Sequence, residues 1–238
     1  MKIFATLKFY YGAFVISFIA AGVMVPLMMI FKNRRSDILH KYNALILKIM
    51  GATIETRGER DSSADMFVMN HQGIIDIIAI EAVQNSDLRW VAKRELFDAP
   101  WFGYLLKLPD MVNVDRENRS GLIKLIRDAR ATKEGEKHRI LAIFPEGTRT
   151  DKQELLDFKG GTKMVADKLK LKIQPIIITN SKKVLNEHTK TAQLNATIHI
   201  TYLDTFTANR EDKEWYNNLR NSMQISIDHE KNEYKRER

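Results

Sequence analysis

Short apolar runs recur through the middle of the chain, and each is about as long as one buried strand. They lie at residues 66–69, 88–92, 111–114, 140–144, 173–179 and 196–203. Amphipathic segments with helical spacing separate them, at residues 74–83, 120–129 and 164–169. Strands that alternate with helices predict an α/β fold, in which a mixed, largely parallel sheet is flanked by helices.

Two further helices are predicted outside this alternation. Apolar residues recur at helical spacing from Ser36 to Met50, and Gly51 ends the segment. We expect this helix to pack on the domain; a second membrane contact is the alternative. The polar tail from Asn209 is predicted to form a long helix, with a buried stripe of Trp215, Leu219, Met223 and Ile227.

The N-terminus carries an uncharged segment, residues 9–31, that is long enough to reach across a hydrocarbon core. It is longer than the apolar part of a typical signal peptide, which is the alternative reading. We therefore interpret residues 1–35 as an N-terminal membrane anchor and residues 36–238 as one α/β domain. No linker or repeat divides the remainder of the chain.

The orientation of this anchor is not set by its flanking charges. Lysines precede the apolar run, and Lys32, Arg34 and Arg35 follow it, so both flanks are basic. Gly22 and Pro26 permit a bend within the segment. We favour an anchor that dips into the cytoplasmic leaflet and returns, over one that spans the bilayer.

Composition narrows the classes of function. The chain has no cysteine, which excludes disulfides, Cys-ligated zinc and a Cys nucleophile. The net charge of +8 is explained either by a solvated basic surface or by binding to an anionic membrane, an anionic ligand or nucleic acid. Nucleic acid is disfavoured because zinc-finger spacing, an aromatic RNA-binding signature and a helix-turn-helix pattern are all missing from the sequence.

His71 is a candidate general base, and Asp76 is a candidate for the carboxylate that orients it. The spacing alone is not diagnostic, because His199 and Asp204 repeat it in a segment that alternates like a half-buried strand. We interpret His199 as a surface strand histidine without chemistry. His71 differs because it follows a predicted strand, at the edge where α/β sheets place ligands.

The spacing of this pair also predicts its geometry. Five residues of a regular helix turn through about 500°, which leaves the two side chains about 140° apart. His71 must therefore lie in the turn before the helix or in a distorted first turn, and we expect Gly73 to supply the freedom for such a turn. Asp76 can then accept the Nδ1–H bond and leave Nε2 as the general base.

Four blocks occur in a specific order: Asn-His-Gln-Gly-Ile-Ile-Asp, Val-Asn-Val-Asp-Arg-Glu-Asn, Phe-Pro-Glu-Gly-Thr-Arg-Thr and Ile-Gln-Pro-Ile-Ile. They begin at residues 70, 112, 144 and 173. Together they resemble the glycerolipid acyltransferases, specifically the bacterial 1-acyl-glycerol-3-phosphate acyltransferases. The resemblance covers residues 66–180, and the remainder carries no motif. Asn113 departs from it, because an apolar residue is expected there.

The resemblance implies a reaction and a set of partners. An acyl chain would move from acyl-CoA or acyl-carrier protein to the sn-2 hydroxyl of lysophosphatidic acid, giving phosphatidic acid. The implied partners include a phospholipid membrane but no nucleic acid, and no cofactor or metal is expected. The implied location is the bacterial inner membrane, with the catalytic domain on the cytoplasmic face.

The resemblance also implies roles for individual residues. His71 and Asp76 would be catalytic, and Arg116 and Arg149 would hold the substrate phosphate, because guanidinium pairs bidentately with phosphate. Glu146 would orient the glycerol hydroxyl or an arginine. Gly147 would let the turn approach the ligand, and Thr148 would donate a hydroxyl. Further candidate contacts to phosphate or the thioester carrier are Lys93 and Lys159.

A short helix is predicted after Pro100, with large apolar side chains at Trp101, Phe102, Tyr104, Leu105 and Leu106. These side chains either belong to the core, or border the acyl chain or the membrane surface.

Three other readings remain open from the sequence. A related acyltransferase could act on glycerol-3-phosphate or a lyso-aminolipid. A metal hydrolase could use His71, Asp76 and Glu146, although a single motif histidine is poor for zinc. A membrane-anchored lipid-binding protein without catalysis is the third, and it leaves the His–Asp placement unexplained.

Overall fold

The computed structural model describes residues 2–115 and 119–236, and within them the chain forms one sheet of eight strands. The strands are β1 (Thr53–Arg57), β2 (Met66–Met69), β3 (Leu88–Lys93), β4 (Val112–Val114), β5 (Ile140–Ile143), β6 (Lys172–Thr179), β7 (Thr197–Tyr202) and β8 (Phe206–Thr207). Their order is β1-β7-β6-β2-β5-β3-β4, and β8 pairs with β6. Only the β6–β7 and β6–β8 pairs among these strands are antiparallel. This confirms the predicted mixed, largely parallel sheet.

The helices of the described ranges connect and cover these strands. They are α1 (Lys2–Ser17), α2 (Val25–Ile30), α3 (Arg35–Ile49), α4 (Ile74–Val83), α5 (Arg94–Phe97), α6 (Tyr104–Lys107), α7 (Arg119–Glu134), α8 (Gly160–Leu169), α9 (Ser181–Val184) and α10 (Trp215–Arg236). A π-helical segment, Phe18–Met24, joins α1 to α2, and a 3₁₀ turn, Lys32–Arg34, leads into α3.

Alternation along the strands divides the core into two layers. In β6, Ile176 and Ile178 face one layer, whereas Ile173 and Ile177 face the other. The first layer is covered by the N-terminal helices, α3 and α4, and the second by α7, α8 and α10. The predicted stripe of the tail helix, from Trp215 to Ile227, is buried against the second layer.

The N-terminal apolar segment is one continuous helix, Lys2–Ile30, that lies on the domain. Pro26 cannot donate a backbone hydrogen bond, and the helix adjusts just before it: Val25 N–H bonds the carbonyl of Ala20, five residues back. Met24 and Met28 are buried in the first layer of the core. The boundary at residue 35 between anchor and domain stays a prediction.

Three points along this helix are fixed to the domain. Near its start, the carbonyl of Ala5 accepts a hydrogen bond from Ala192 N–H at 3.1 Å. In the middle, a Cβ on Gly12 would lie 2.8 Å from Met50 Cε, so glycine permits close packing on α3. Near its end, the carbonyl of Ala21 accepts a hydrogen bond from Trp101 Nε1 at 2.7 Å. The helix therefore runs along the domain surface rather than away from it.

Two sequence interpretations are corrected. Strand β1 was not predicted, because Ile54 is its only apolar residue and the strand lies largely exposed at the sheet edge. His199 was taken for a surface residue, but it is buried in β7, with Nδ1 3.3 Å from Glu55 Oε2 on β1. Burial lowers the pKa of His199 below its ordinary value.

The packing of α10 predicts how its residues respond to truncation. Met223 is fully buried against the sheet, so Met223→Ala should lower the free energy of unfolding by about 2–5 kcal/mol. Urea unfolding in detergent solution measures it. Ile225, two residues along the same helix, is 70% exposed, and Ile225→Ala should change stability by less than about 0.5 kcal/mol. Equal effects of the two variants would contradict the packing.

Candidate active site

His71 and Asp76 form a hydrogen-bonded pair at the end of β2. His71 lies before the first residue of α4, Ile74, whereas Asp76 lies within its first turn. The distance from His71 Nδ1 to Asp76 Oδ2 is 2.9 Å. The geometric prediction, that His71 must lie outside the helix, is confirmed.

The Asp76 carboxylate also organises the turn that carries His71. Its Oδ2 accepts the backbone N–H groups of Gln72 at 2.5 Å and Gly73 at 2.8 Å. Asp76 is fully buried, so these donors and the imidazole compensate its removal from water. The same oxygen therefore caps the helix start and orients the His71 ring.

The imidazole ring of His71 is further restrained by stacking. It lies nearly parallel to the Phe144 ring, with centroids 3.9 Å apart and an interplanar angle of 10°. Phe144 in turn stacks on Trp90 at 5.4 Å. With Nδ1 held by Asp76 and one face held by Phe144, the ring presents Nε2 toward the adjoining cavity.

Main-chain hydrogen bonds join the His71 turn to the turn that follows β5. Strands β2 and β5 are parallel neighbours, so both turns emerge at one edge of the sheet. His71 N–H donates to Glu146 Oε1 at 2.9 Å, and the His71 carbonyl accepts from Thr150 N–H at 3.1 Å. The two blocks therefore meet at one edge of the sheet.

Glu146 lies inside the protein, next to the His71 turn. It is fully buried, and its two oxygens accept the N–H groups of His71 and Leu156, the latter at 2.8 Å. Burial raises the pKa of Glu146, against the lowering effect of these two N–H groups. Glu146 therefore faces the interior and positions the His71 turn, and its assignment to substrate binding stays a prediction.

The other residues of this turn face the cavity. Gly147 has a φ of +71°, a conformation that favours glycine, and it turns the chain back toward His71. Thr148 and Arg149 are exposed and line the cavity mouth with Gly147. The Arg149 Nε lies 3.4 Å from His71 Nε2. The structure thus brings Gly147, Thr148 and Arg149 to the predicted site.

The remaining candidates are distributed unevenly. Arg116 lies outside the described residues, although β4, which ends two residues before it, runs parallel to β3. Lys93 lines the cavity, with its Nζ 3.0 Å from Glu95 Oε1. Lys159 is exposed at the start of α8 and is not among the residues that line the cavity.

Sequence reasoning missed Glu187, which lies beyond the last block. Its Oε1 accepts the N–H of Ile74 at 2.9 Å and lies 3.3 Å from Arg149 Nη1. Gly73 permits this approach, because a Cβ there would lie 2.6 Å from Glu187 Oε2. The φ of Gly73 is −168°, which any residue adopts, so the turn does not need the backbone freedom of glycine that the sequence suggested. Glycine is needed here because a larger side chain would collide with Glu187.

A largely apolar cavity of about 620 Å³ opens beside His71 and Arg149. It extends between the N-terminal helix, α3 and α4, and its walls include Ile16, Ala20, Leu39, Ile74 and Ile78. The predicted helix near residue 101 is partly correct: Tyr104–Lys107 is helical, Phe102, Leu105 and Leu106 line the cavity, and Trp101 is exposed at the surface.

The buried Glu81 contributes a polar side chain to the cavity wall. Glu81 Oε1 accepts from Trp90 Nε1 at 2.6 Å, and Oε2 lies 2.8 Å from His40 Nδ1. Burial alone would lower the pKa of His40, but its contacts with Glu81 raise it above the ordinary value. The hydrogen bond from Trp90 and the ion pair with His40 offset the cost of burying the Glu81 carboxylate.

Comparison with known proteins identifies the class. A family model described as Acyltransferase matches residues 53–179. The 1-acyl-sn-glycerol-3-phosphate acyltransferase of Helicobacter pylori is 34% identical over 211 residues, which cover 87% of each chain. The enzyme of that name from Cocos nucifera is 33% identical over 144 residues, 60% of this chain and 46% of that protein. The chain therefore belongs to the acyltransferase family, which confirms the resemblance.

The fold agrees with this assignment. The crystal structure of the 1-acyl-sn-glycerophosphate (LPA) acyltransferase, PlsC, from Thermotoga maritima superposes with a TM-score of 0.76. The alignment covers 97% of this chain and 98% of that chain at 18% identity. The two proteins share one architecture across their lengths.

The raised pKa of Glu146 predicts a pH dependence of stability. The pKa of Glu146 is 4.5 in the unfolded chain and higher in the folded protein, so folding takes up a proton at a pH between the two values. The contribution of Glu146 to stability is therefore complete below pH 4.5 and declines as the pH rises. Glutamine cannot titrate. The free energy of unfolding of the wild type, minus that of Glu146→Gln, should therefore fall between pH 4.5 and 7.5 in urea titrations.

The matched control is Glu154→Gln, at an exposed position eight residues along the chain. The fall for Glu146→Gln is measured relative to this control across the same pH range. A flat or rising difference for Glu146→Gln would contradict the buried placement.

Proposed function

We propose that this chain is a 1-acyl-sn-glycerol-3-phosphate acyltransferase, which acylates the free hydroxyl of lysophosphatidic acid to give phosphatidic acid. The observation that carries the proposal is the His71–Asp76 pair, set beside a cationic turn at the mouth of an apolar cavity. Relatives with this activity in their names match most of the chain or its catalytic region. The activity belongs to phospholipid biosynthesis.

His71 acts as the general base in this proposal. Its Nε2 takes the proton of the acceptor hydroxyl as the oxygen attacks the thioester carbonyl. Asp76 holds Nδ1–H and stabilises the imidazolium that forms. The C–S bond then breaks, and the leaving thiolate takes the proton from His71. Transfer is direct, without an acyl-enzyme intermediate.

The acceptor is held through its phosphate and its lipid chain. Arg149 stands beside His71 at the cavity mouth, where a bidentate pair with phosphate would bring the glycerol hydroxyl near Nε2. Arg116 is proposed as the second phosphate ligand. The apolar cavity has the size of a ligand pocket and suits an acyl chain.

The acyl donor is proposed to be acyl-CoA or acyl-carrier protein. Both are anionic thioester carriers, and Lys93 at the cavity supplies a cation for them. Lys159 would contact only a part of the carrier that lies outside the cavity. The reaction as proposed needs no cofactor or metal beyond the two substrates.

Membrane association is proposed to occur through one exposed apolar face. The outward stripe of the first helix consists of Phe4, Leu7, Tyr11, Phe14 and Phe18, all exposed. Large exposed apolar patches mark interaction surfaces, and this one is continuous along the helix, with Lys8 beside it. Since the opposite face packs on the domain along its length, we propose a helix that lies in one leaflet rather than spanning the bilayer.

This arrangement brings the site to the lipid. Ile16 and Ala20 line the cavity, so the helix that would enter the leaflet also forms a cavity wall. Trp101 and Phe102 are exposed near the end of the helix, where aromatic side chains suit the headgroup level. Because the donors are soluble cytoplasmic carriers, we propose that the domain lies on the cytoplasmic face of the bacterial inner membrane.

The base assignment is tested by comparing two histidines with the same spacing to an aspartate. His71→Ala should lower kcat for acylation of lysophosphatidic acid by about 10²–10⁴-fold, because the general base is lost. The control, His199→Gln, should retain activity within a few-fold, corrected for folded protein. The assay follows phosphatidic acid formed from acyl-CoA, with glycerol-3-phosphate and a lyso-aminolipid as competing acceptors. Equal loss in both variants would refute the catalytic assignment.

The membrane face is tested by introducing charge on the outward stripe. The double variant Phe4→Asp/Phe14→Asp should reduce binding to vesicles of phosphatidylethanolamine and phosphatidylglycerol by about tenfold or more, since each buried Phe contributes about 1.5–3 kcal/mol. Co-sedimentation measures the bound fraction. Ile123 is as exposed as Phe4 but lies on α7, across the sheet, so Ile123→Asp should bind as the wild type does. Equal vesicle binding by the double variant and Ile123→Asp would refute the proposed membrane face.

A further inference from the structure

Glu187 connects both halves of the active site from outside the four blocks. Its Oε1 accepts the N–H of Ile74, the first residue of the helix that carries Asp76, and faces Arg149 Nη1 at 3.3 Å. Its Oε2 lies 3.6 Å from Lys182 Nζ. One carboxylate is therefore shared between the start of α4 and the arginine of the neighbouring turn.

Arg149, paired with Glu187, also contacts the nitrogen of His71 that would act as the base. With Nδ1–H donated to Asp76, His71 Nε2 carries the lone pair that a general base needs. Arg149 Nε–H donates to that Nε2 at 3.4 Å. The guanidinium thus occupies the atom that must accept the hydroxyl proton.

The segment that carries Glu187 is itself held in place. It follows α9, and the Asn186 side-chain oxygen accepts the N–H groups of His188 and Thr189, both at 3.0 Å. The carboxylate approaches Gly73 so closely that a Cβ there would lie 2.6 Å from Oε2. Glu187 is therefore fitted to the His71 turn rather than placed on it as a loose surface charge.

We propose that Glu187 is a positioning residue that holds Arg149 against His71 until the phosphate of the acceptor displaces it. A phosphate monoester carries close to two negative charges and offers a bidentate partner, whereas Glu187 offers Arg149 one oxygen at 3.3 Å. Phosphate binding moves Arg149 from His71 Nε2 to the acceptor. The acceptor thereby frees the base that its own hydroxyl will use.

This arrangement protects the acyl donor from water. If Nε2 were free without acceptor, His71 could take a proton from water as its oxygen attacked the thioester carbonyl. The C–S bond would break, the thiolate would take the proton from His71, and the products would be a fatty acid and a free thiol. Excluding such hydrolysis is a recognised benefit of assembling a site only when the correct substrate is bound.

The experiment measures thiol release from acyl-CoA by purified Glu187→Gln and wild type, without acceptor. Glutamine keeps an oxygen for the Ile74 N–H but loses the charge that attracts Arg149. Thiol release should rise by about threefold or more, and the KM for lysophosphatidic acid should fall by about two- to fivefold. A purely structural lesion would instead raise KM or lower kcat.

A second experiment distinguishes the release of His71 Nε2 by Arg149 from a non-specific structural effect of the substitution. A lysophosphatidic acid analogue without the acceptor hydroxyl should stimulate thiol release by the wild type, because its phosphate engages Arg149. It should stimulate Glu187→Gln much less, because the base is already free. The control is Asp151→Asn, which removes a charge that pairs with Lys182 at 2.9 Å, and it should behave as the wild type does.

The outcomes distinguish this inference from the proposed function on which it rests. If the wild type fails to acylate lysophosphatidic acid, the proposed function is refuted. If the wild type acylates it, but Glu187→Gln shows unchanged thiol release and KM, only the role of Glu187 is refuted. Equal stimulation of thiol release in Glu187→Gln and Asp151→Asn would also refute it.

Discussion

The active site depends on one buried carboxylate that joins two neighbouring turns. Glu146 accepts the N–H of His71 with one oxygen and the N–H of Leu156 with the other. Parallel pairing of β2 and β5 brings the turns close, and this carboxylate fixes them in one arrangement. Glu146 thus fixes the backbone of His71, and Asp76 orients its imidazole ring. Removing the shared acceptor would leave the N–H groups of His71 and Leu156 without this partner in a partly buried site, and such losses destabilise a protein.

The N-terminal helix gives this site its lipid setting. One face packs on the domain and contributes to the cavity wall, while the other carries large exposed aromatic and aliphatic side chains. The π-helical segment before Pro26 keeps the helix continuous where the missing donor of proline would otherwise interrupt it. The same element thus serves the core, the cavity and the proposed membrane surface, so the acceptor's hydroxyl and its bilayer environment meet at one place.

Much of the fold followed from the sequence because its signals are local. Six strands were predicted within one or two residues of their ends, since each contains a short apolar run that the sheet buries wholly or in part. Strand β1 was missed because an exposed edge strand needs no such run. The contacts of Glu146 with His71 and Leu156 were not predicted, because a turn sequence does not show which way its carboxylate faces. Glu187 was missed because it meets Ile74 from 113 residues away along the chain.

The sequence by itself determined the chemistry available: a histidine and an aspartate that no regular helix could pair, an arginine after a buried strand, and an apolar N-terminus. Such features depend on residue type and on spacing within one element. Only the tertiary structure decided how they are used. It stacked His71 on Phe144, turned Glu146 inward, set Arg149 on Nε2 and tied it to Glu187. Those contacts join segments far apart in the chain, and the packing of the sheet and its helices brings them together.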